Sequence, residues 1–435
     1  MMILIKNGTI LTQDKNRRVI KDGAVLFEGE TIKAIGQTKK VESLIKGKKL
    51  EKIIEAKGKV VMPGLVNAHT HLAMTLLRGL ADDLPLEEWW FKKIFSAESK
   101  FTRRHVFLGS LLGGLEMIKS GTTCFVDFYY FEDEVASAVK ELGLRANLGV
   151  GILDLETFAF KNSPESFVQF FELAERFRND NLIRISLAPH MFQTTSRETY
   201  KKAKKAAGRF NCIMQTHLAE TKAEVDFCRK KYGKTPAQIL DKEKILDGKT
   251  LLAHGCHLDE KDIKILGKNK VSVAHCPVSN MKLASGVMPL ARLEKAGVCL
   301  ALGTDGSCSN NSLDMFGEMK FAALLQKSFF GDPALADSQR VLDMATINGA
   351  RALGLEKEIG SIEPGKKADI IILDFDQPHL TPVSNIASHL VYCANGADVL
   401  TSIVNGRVVM ENRKVKVIDE KKVLVQIKEI LKLNS

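Results

Sequence analysis

The feature that most limits the fold of this 435-residue chain is a regular alternation of short β-rich segments with stretches of helical pattern. Such alternation predicts an α/β protein with a parallel sheet and crossover helices, and eight units can close into a TIM-type (β/α)8 barrel. The loops after the carboxyl ends of such strands surround one mouth, so polar residues at those ends are the candidates for a functional site. The predicted strands are Val60 to His71, Thr122 to Asp127, Arg145 to Ile152, Ile183 to Pro189, Cys212 to His217, Thr250 to His254, Val271 to His275 and Val298 to Asp305.

Both ends of the chain show another pattern, in which short strands are separated by glycine turns. Examples are Ile3 to Ile5 near the start and Ala368 to Leu373 near the end. Because chain termini in compact proteins often lie close together, we expect the two ends to form one small β-sandwich domain. The predicted domains are therefore 1–59 with 360–435, and a barrel domain over 60–359.

The composition is that of a soluble globular protein, with 45% apolar and 26% charged residues. The sequence contains no run of 18 apolar residues, and Lys6 interrupts the apolar start, so we predict neither a membrane span nor a secretory signal and expect a cytoplasmic protein. The net charge of +11 comes from lysines interleaved with acidic residues. The densest cluster, Lys201, Lys202, Lys204 and Lys205, is typical of a solvated helix face, so we predict no nucleic-acid partner.

The eight cysteines are scattered without a C-x-x-C pair. This spacing favours free thiols over disulfides or a cysteine-ligated zinc site. No motif specifies the assembly, and a homo-oligomer stays an open alternative.

Histidines stand at the ends of several predicted strands. His69 and His71 are separated by one residue, so on a strand both imidazoles point to the same face. Alone, this pair is a weak signal, since two hydrogen-bonded core histidines would also explain it. His217, His254 and Asp305 end three other strands, and buried polar groups that converge in an apolar barrel need a partner. The pattern therefore predicts a metal site at the mouth.

Longer motifs around these residues resemble the amidohydrolase superfamily over nearly the whole chain. They are Pro63-Gly64-Leu65-Val66-Asn67-Ala68-His69-Thr70-His71, His217-Leu218-Ala219-Glu220, Ala274-His275-Cys276-Pro277-Val278-Ser279-Asn280 and Gly303-Thr304-Asp305-Gly306. Three further segments resemble the methylthioadenosine/S-adenosylhomocysteine deaminase family, which is related to the chlorotriazine hydrolases. They are Leu84-Pro85-Leu86-Glu87-Glu88-Trp89, Ala188-Pro189-His190 and Gly306-Ser307-Cys308-Ser309-Asn310-Asn311.

The resemblance implies that His69, His71, His217 and Asp305 hold one divalent metal ion per chain, which we expect to be zinc. Three neutral imidazoles and one carboxylate leave a position open for water, whose pKa such an ion lowers. Many binuclear relatives bridge two metals with a modified lysine at the end of strand four. Here that end reads Leu187-Ala188-Pro189-His190, without a lysine, which favours a single ion.

Proton transfer is assigned by the same resemblance to Glu220 and His254. Glu220 is expected to protonate the substrate ring, since it lies three residues after a ligand and can reach the ring without ligating. Asp305 and His254 are expected to orient the attacking water and accept its proton. The alternative for Glu220 is that it only orients His217.

Substrate contacts are implied for Trp89, Glu98 and His190, in addition to Glu220 and Asp305. Glu98 would accept hydrogen bonds from ribose hydroxyls, Trp89 would pack on the nucleoside, and His190 would face the purine. The alternatives are core packing for Trp89, a solvated helix charge for Glu98, and a strand-end cap for His190.

The predicted function is a zinc-dependent aminohydrolase that acts on C–N bonds in cyclic amidines. Its substrates would be 5′-modified adenine nucleosides, namely 5′-methylthioadenosine, S-adenosylhomocysteine or 5′-deoxyadenosine, and its products the inosine analogue and ammonia. Relatives that act on S-adenosylhomocysteine tend to carry arginines after strand three. Here no arginine lies between Arg145 and Arg176, and only Lys161 is nearby, which disfavours a charged 5′ tail.

Two other functions remain open from the sequence. One is a related hydrolase of another amino- or chloro-heterocycle, such as guanine, a triazine or aminodeoxyfutalosine. The other is a non-catalytic scaffold, which the intact ligands and proton-handling residues disfavour.

Overall fold

Parallel strands close into a barrel in the computed structural model, which describes residues 2–84 and 88–432. Each strand pairs with the next along the chain, and the closing pairs are Asp305 with Thr70 and Gly306 with His71. Barrel strands one to eight, as they are called below, are Leu65–His71, Thr122–Tyr129, Arg145–Ile152, Ile183–Pro189, Met214–Leu218, Thr250–His254, Ser272–His275, and Cys299–Leu302 with its continuation Asp305–Gly306. The predicted fold class is confirmed.

Strand eight is interrupted where it passes closest to strand one. A Cβ atom at Gly303 would lie 2.8 Å from Cβ of His69 and 2.9 Å from its backbone nitrogen, so only glycine allows this approach. The close packing places the first and last strands of the barrel side by side at the mouth.

The helices follow the strands, and short polar signals fix where many of them begin and end. Asn162 and Thr221, for example, accept hydrogen bonds from the first turns of their helices, and Gly143 ends another at positive φ. The α-helices are Thr38–Ser43, Phe95–Glu98, Arg103–Lys119, Glu132–Leu142, Ser163–Arg176, Arg197–Phe210, Lys222–Tyr232, Pro236–Lys242, Glu260–Lys268, Pro277–Lys282, Leu290–Lys295, Ser307–Asn310, Met315–Phe330, Ser338–Met344, Ile347–Ala352, Ile386–Tyr392 and Glu420–Lys432. Shorter 3-10 and π turns are Leu72–Leu77, Trp89–Ile94, Pro378–Leu380 and Gly396–Asp398.

Both chain ends contribute to the second sheet, which is mainly antiparallel. Its strands are Met2–Leu11, Val19–Glu28, Thr31–Gln37, Lys52–Glu55, Lys59–Pro63, Ile370–Asp374, Val399–Val404, Arg407–Glu411 and Lys414–Val415. Lys59–Pro63 pairs with Ile370–Asp374, so the two ends meet in this sheet. A buried bidentate ion pair between Arg145 and Asp369 connects it to the start of barrel strand three.

The predicted first strand, Val60 to His71, is in fact two strands. Residues 59–63 belong to the sheet of the chain ends and residues 65–71 to the barrel, with Gly64 between them. A Cβ atom at Gly64 would lie 2.0 Å from Oγ1 of Thr123, so the chain passes from one sheet to the other in close contact with strand two. The domain limits at 59/60 and 359/360 stay a prediction.

Two further sequence expectations concern the whole chain. All eight cysteines are free, as predicted. Among the described residues, no helix combines the length and the hydrophobicity that a membrane span requires.

Candidate active site

The ends of four barrel strands bring the predicted metal ligands and His254 together. The ligand atoms of His69, His71 and His217 all lie within 4.8 Å of one another, and so do those of His69, His254 and Asp305. All are buried except His71, which is partly exposed. The arrangement therefore unites the four predicted ligands with His254, which is close enough to ligate as well as to move protons.

Hydrogen bonds to backbone carbonyls orient two of the imidazoles. Nδ1 of His217 donates to the carbonyl oxygen of His190 at 3.2 Å, and Nδ1 of His71 donates to that of Phe128. These bonds leave Nε2 of each ring for a ligand, as is usual for metal-binding histidines. Nε2 of His69 is buried without a hydrogen-bond partner, and such an orphaned nitrogen beside a carboxylate suits a divalent ion.

Asp305 presents one carboxylate oxygen to the histidines and keeps the other in hydrogen bonds. Oδ2 accepts from the hydroxyls of Ser279 at 2.6 Å and Ser309 at 2.8 Å. Oδ1 lies 3.1 Å from Nε2 of His71 and 3.6 Å from Nε2 of His69. The two serines thus fix the carboxylate in the orientation that a metal ligand needs.

The electrostatics of the cluster favour a bound cation. Burial lowers the pKa of His69 and of His254 to about 4, so both rings are neutral. Burial also acts to lower the pKa of His71, but the hydrogen bond to Asp305, the charges of Asp305 and Asp127, and the hydrogen bond to Phe128 together outweigh it and raise that pKa to about 9. A divalent cation would satisfy the same carboxylate, so its binding would release the His71 proton and leave this ring able to ligate.

Glu220 lies beside the cluster without belonging to either ligand group. Its Oε1 accepts a hydrogen bond from Ser285 at 3.1 Å, and its Oε2 lies 3.6 Å from Nε2 of His254. Burial, reinforced by the charge of Asp305, raises the pKa of Glu220 to about 8. The side chain is therefore protonated near neutral pH and can donate its proton.

His254 is held in an unusual backbone conformation at the end of strand six. Its φ of +74° is in the left-handed region, which residues other than glycine seldom adopt. The amide of Asn280 donates to Nδ1 of His254 at 2.9 Å, which leaves Nε2 directed towards Glu220. Because Nδ1 accepts this hydrogen bond, the neutral ring carries its hydrogen at Nε2 and can donate it to a group in the site.

A small cavity at the cluster has four of the five predicted substrate residues in its wall, all except Glu98. Trp89 and His190 line it together with metal-site residues, and its volume is about 30 Å³. The His190 ring lies 4.4 Å from that of Trp90, and its Nδ1 bonds Oγ1 of Thr194 at 2.8 Å. A volume of this size suits one water molecule, so the wall has to move apart for a nucleoside to enter.

Glu98 is buried against Tyr129 and does not line this cavity. The Tyr129 hydroxyl donates to Oε1 of Glu98, and burial raises the pKa of the carboxyl to about 7. The alternative of a solvated helix charge does not hold, since Glu98 is only 3% exposed. Pro85, Leu86 and Glu87 of the motif before Trp89 lie outside the described residues.

Sequence reasoning gave no role to four residues that orient the site. Ser279 and Ser309 bind Asp305, Asn280 binds His254, and Ser285 binds Glu220. Ser279, Asn280 and Ser309 lie in the motifs that carry the family resemblance, so the sequence pointed to their positions although not to their contacts. Ser285 lies in no motif and carried no signal.

A larger cavity of about 610 Å³ lies elsewhere, at the amino-terminal ends of the strands. Its wall includes Ile183 at the start of strand four and Ile213 just before strand five. Among the described residues, the groups of side chains that could hold a metal ion lie only at the other end of the barrel. We therefore place the candidate active site in the small cavity.

Comparison with known proteins agrees with this geometry. Residues 60–409 match the model of the Amidohydrolase family. The chain belongs to this family. It is 44% identical to the 5′-deoxyadenosine deaminase of Methanosarcina acetivorans over 97% of this chain and 96% of that protein. It is 46% identical to the 5-methylthioadenosine/S-adenosylhomocysteine deaminase of Thermococcus onnurineus over 95% of each chain.

A solved structure supports the same family assignment. An adenosine deaminase from Xanthomonas campestris, crystallised with bound zinc, superposes with a TM-score of 0.95 at 34% identity. The match covers 98% of this chain and 97% of that one. The resemblance to the superfamily is thus confirmed, and similar proteins carry the names of the predicted branch.

Proposed function

We propose that this amidohydrolase is a metal-dependent deaminase of 5′-modified adenine nucleosides and functions in nucleoside metabolism. Its substrates would be 5′-methylthioadenosine, 5′-deoxyadenosine or S-adenosylhomocysteine, and its products the inosine analogue and ammonia. Similar proteins that align over nearly the whole chain carry the names of deaminases of these compounds. The observation that carries the proposal is the position of Glu220, a protonated acid beside the metal-ligating cluster.

His69, His71, His217 and Asp305 would hold the metal ion, and they offer the nitrogen and oxygen donors that zinc prefers. Zinc is the candidate because a structural relative was crystallised with it. When bound, a divalent ion of this kind supplies an activated water molecule as the nucleophile. The lysine-free end of strand four, Ala188-Pro189-His190, supports one ion rather than two.

Glu220 and Asp305 would carry out the proton transfers, and His254 would help to orient the nucleophile. Glu220 carries a proton at Oε at neutral pH and would donate it to the ring nitrogen next to the carbon that is attacked. Because Asn280 donates to Nδ1, the neutral His254 ring carries its hydrogen at Nε2 and would orient the nucleophile through it. Asp305 would accept the proton that the nucleophile loses and deliver it to the departing amine.

Trp89 and His190 would form the wall that packs on the purine, since both line the cavity. Glu98 would bind the ribose hydroxyls once the wall has moved to admit the substrate. The predicted partner is thus a small molecule. The cytoplasmic location remains a prediction, and a homo-oligomeric assembly remains an open alternative.

The second candidate, a hydrolase of a free base or triazine, is favoured by one observation. Glu98 is bonded to Tyr129 behind the cavity wall, and a substrate without ribose would leave that contact undisturbed. Substitution of Glu98 by alanine therefore separates the two functions.

The test is ammonia release by the metal-loaded enzyme from 5′-methylthioadenosine, 5′-deoxyadenosine, S-adenosylhomocysteine, adenosine, adenine, guanine and an aminotriazine. We expect turnover of the adenine nucleosides and a loss of at least tenfold in kcat/KM in Glu98→Ala. Turnover confined to free bases or the triazine, unchanged in Glu98→Ala, would establish the second function. The variant His217→Ala serves as the control for metal-independent background.

A further inference from the structure

Glu318 is a buried acidic residue outside the active site that binds two segments next to it. It is 1% exposed and lies on the long helix that follows strand eight. Its Oε1 accepts a hydrogen bond from the side-chain amide of Asn310, and its Oε2 accepts one from the backbone nitrogen of Val278 at 3.4 Å. These partners belong to the short helices Ser307–Asn310 and Pro277–Lys282.

The same two short helices hold the reactive groups of the site. Ser279 and Asn280 directly follow the residue that Glu318 binds, and they donate to Asp305 and His254. Ser309 directly precedes the bound asparagine and also donates to Asp305. The Glu318 carboxyl therefore connects the segments whose side chains orient Asp305, a predicted metal ligand, and His254.

A second branch of the network reaches strand one. The amide of Asn310 also donates to the carbonyl oxygen of Thr304 at 2.7 Å. Thr304 is joined to Asn67 by two hydrogen bonds, of 2.7 Å between the side chains and 3.0 Å from its backbone nitrogen. Asn67 lies two residues before His69, and Thr304 directly precedes Asp305. This branch therefore connects strand one with strand eight, the two strands that carry these predicted ligands.

The choice of residue is hard to explain by packing. Burial of a carboxyl group costs free energy unless its oxygens are hydrogen-bonded, and burial raises the pKa of Glu318 well above its usual range. An apolar side chain of similar size would fill a helix interface without that cost. The hydrogen bonds from Asn310 and Val278 offset the free-energy cost of burying the Glu318 carboxyl.

We propose that Glu318 is a positioning residue of the metal site, which it stabilises by holding the helices Pro277–Lys282 and Ser307–Asn310 in register. The inference rests on the proposed function, since it assumes that Asp305 ligates a metal. Without the carboxyl, Asn310 and Val278 lose their acceptor, and the serines that orient Asp305 lose their fixed positions. Residues that orient metal ligands typically change metal affinity or activity 10- to 100-fold when altered.

Two variants and a matched control test the proposal. Glu318→Ala removes both acceptors. Glu318→Gln removes one, since its amide nitrogen cannot accept a hydrogen bond from either N–H donor. Gln326 is the control, because it lies on the same helix, is equally buried and donates instead to the carbonyl oxygen of Met288 at 2.9 Å. Gln326→Ala removes a buried polar contact of that helix away from the site.

The experiment measures zinc affinity of the metal-free proteins by chelator competition, the visible spectrum of the cobalt-substituted proteins, and the melting temperature. We expect at least tenfold weaker zinc binding and an altered cobalt spectrum in Glu318→Ala, and a smaller change of the same kind in Glu318→Gln. Gln326→Ala should lower the melting temperature but keep zinc affinity within twofold and the spectrum unchanged.

The proposal is overturned if Glu318→Ala binds zinc as the wild type does with the same spectrum, or if Gln326→Ala weakens zinc binding equally. If Glu318→Ala does not fold, Glu318→Gln and Asn310→Ala decide by the same two readouts. A wild-type protein that binds no divalent metal would instead contradict the proposed function.

Discussion

Ser285 donates a hydrogen bond of 3.1 Å to Oε1 of Glu220, although 65 residues separate the two along the chain. The bond fixes one carboxyl oxygen and directs the other towards His254. A carboxyl held in this way is placed to transfer a proton rather than to ligate a metal. This geometry agrees with the prediction that Glu220 transfers a proton and that other residues ligate the metal.

The first prediction separates metal binding from proton transfer. Glu220→Gln should keep its metal and lose at least 100-fold in kcat, because the amide cannot donate the acidic proton and general acid catalysis contributes about 10² to 10⁴ in rate. His217→Ala should lose metal and activity together, since it removes a ligand. Metal analysis and ammonia release on both variants check this. Near-normal turnover in Glu220→Gln would show that the proton donor is misassigned.

The second prediction is the metal content. The purified protein should contain about one zinc-like ion per chain, since His69, His71, His217 and Asp305 provide one set of four ligands and strand four ends without a bridging lysine. Elemental analysis after dialysis against metal-free buffer measures it. Two ions per chain at full occupancy would contradict the single-metal site, and chelation should abolish activity until zinc is returned.

The third prediction concerns pH and Glu98, whose pKa burial raises to about 7. Above this pH the carboxylate can accept hydrogen bonds from two ribose hydroxyls, whereas below it one oxygen carries a proton. KM for 5′-methylthioadenosine should therefore rise as the pH falls through about 7. Glu98→Gln carries no titrating group here, so its KM should be higher but constant over the same range. Parallel pH profiles for the two enzymes would show that Glu98 does not bind the ribose.

The ligand set could be predicted from sequence because it depends on local pattern. Strand ends meet at one mouth, so His69, His217 and Asp305 were brought together by the barrel architecture alone. The contact of Ser285 with Glu220 depends on how the loop after strand seven folds, and no local pattern specifies that. The burial of Glu318 was equally hidden, since an acidic residue in a helix is ordinarily expected at the surface.

The split of the first predicted strand was missed for a different reason. Residues 59–63 and 65–71 form one continuous β-rich run around Gly64, and periodicity does not show that its two halves enter different sheets. The interruption of strand eight at Gly303 was hidden in the same way. Only the packing against Thr123 and His69 shows why glycine stands at these two positions.

The last prediction concerns the 5′ tail of the substrate, where this chain departs from relatives that carry arginines after strand three. An arginine–carboxylate contact is charge-assisted and often bidentate, so its absence removes a reason to prefer an amino-acid tail. Arg145, at the start of strand three, is already bound to Asp369 in a buried ion pair between the two sheets. It therefore cannot replace the missing arginines.

We accordingly expect kcat/KM for 5′-methylthioadenosine or 5′-deoxyadenosine to equal or exceed that for S-adenosylhomocysteine. The remaining candidate for a cationic contact is Lys161, which is exposed in the segment after strand three. A preference for S-adenosylhomocysteine of tenfold or more, about 1.4 kcal/mol of transition-state binding, would contradict the prediction. Loss of that preference in Lys161→Ala, but not in Lys202→Ala, would then identify Lys161 as the group that binds the tail. Lys202 is a suitable control because it is also exposed, so its substitution changes the net charge equally at a different place on the surface.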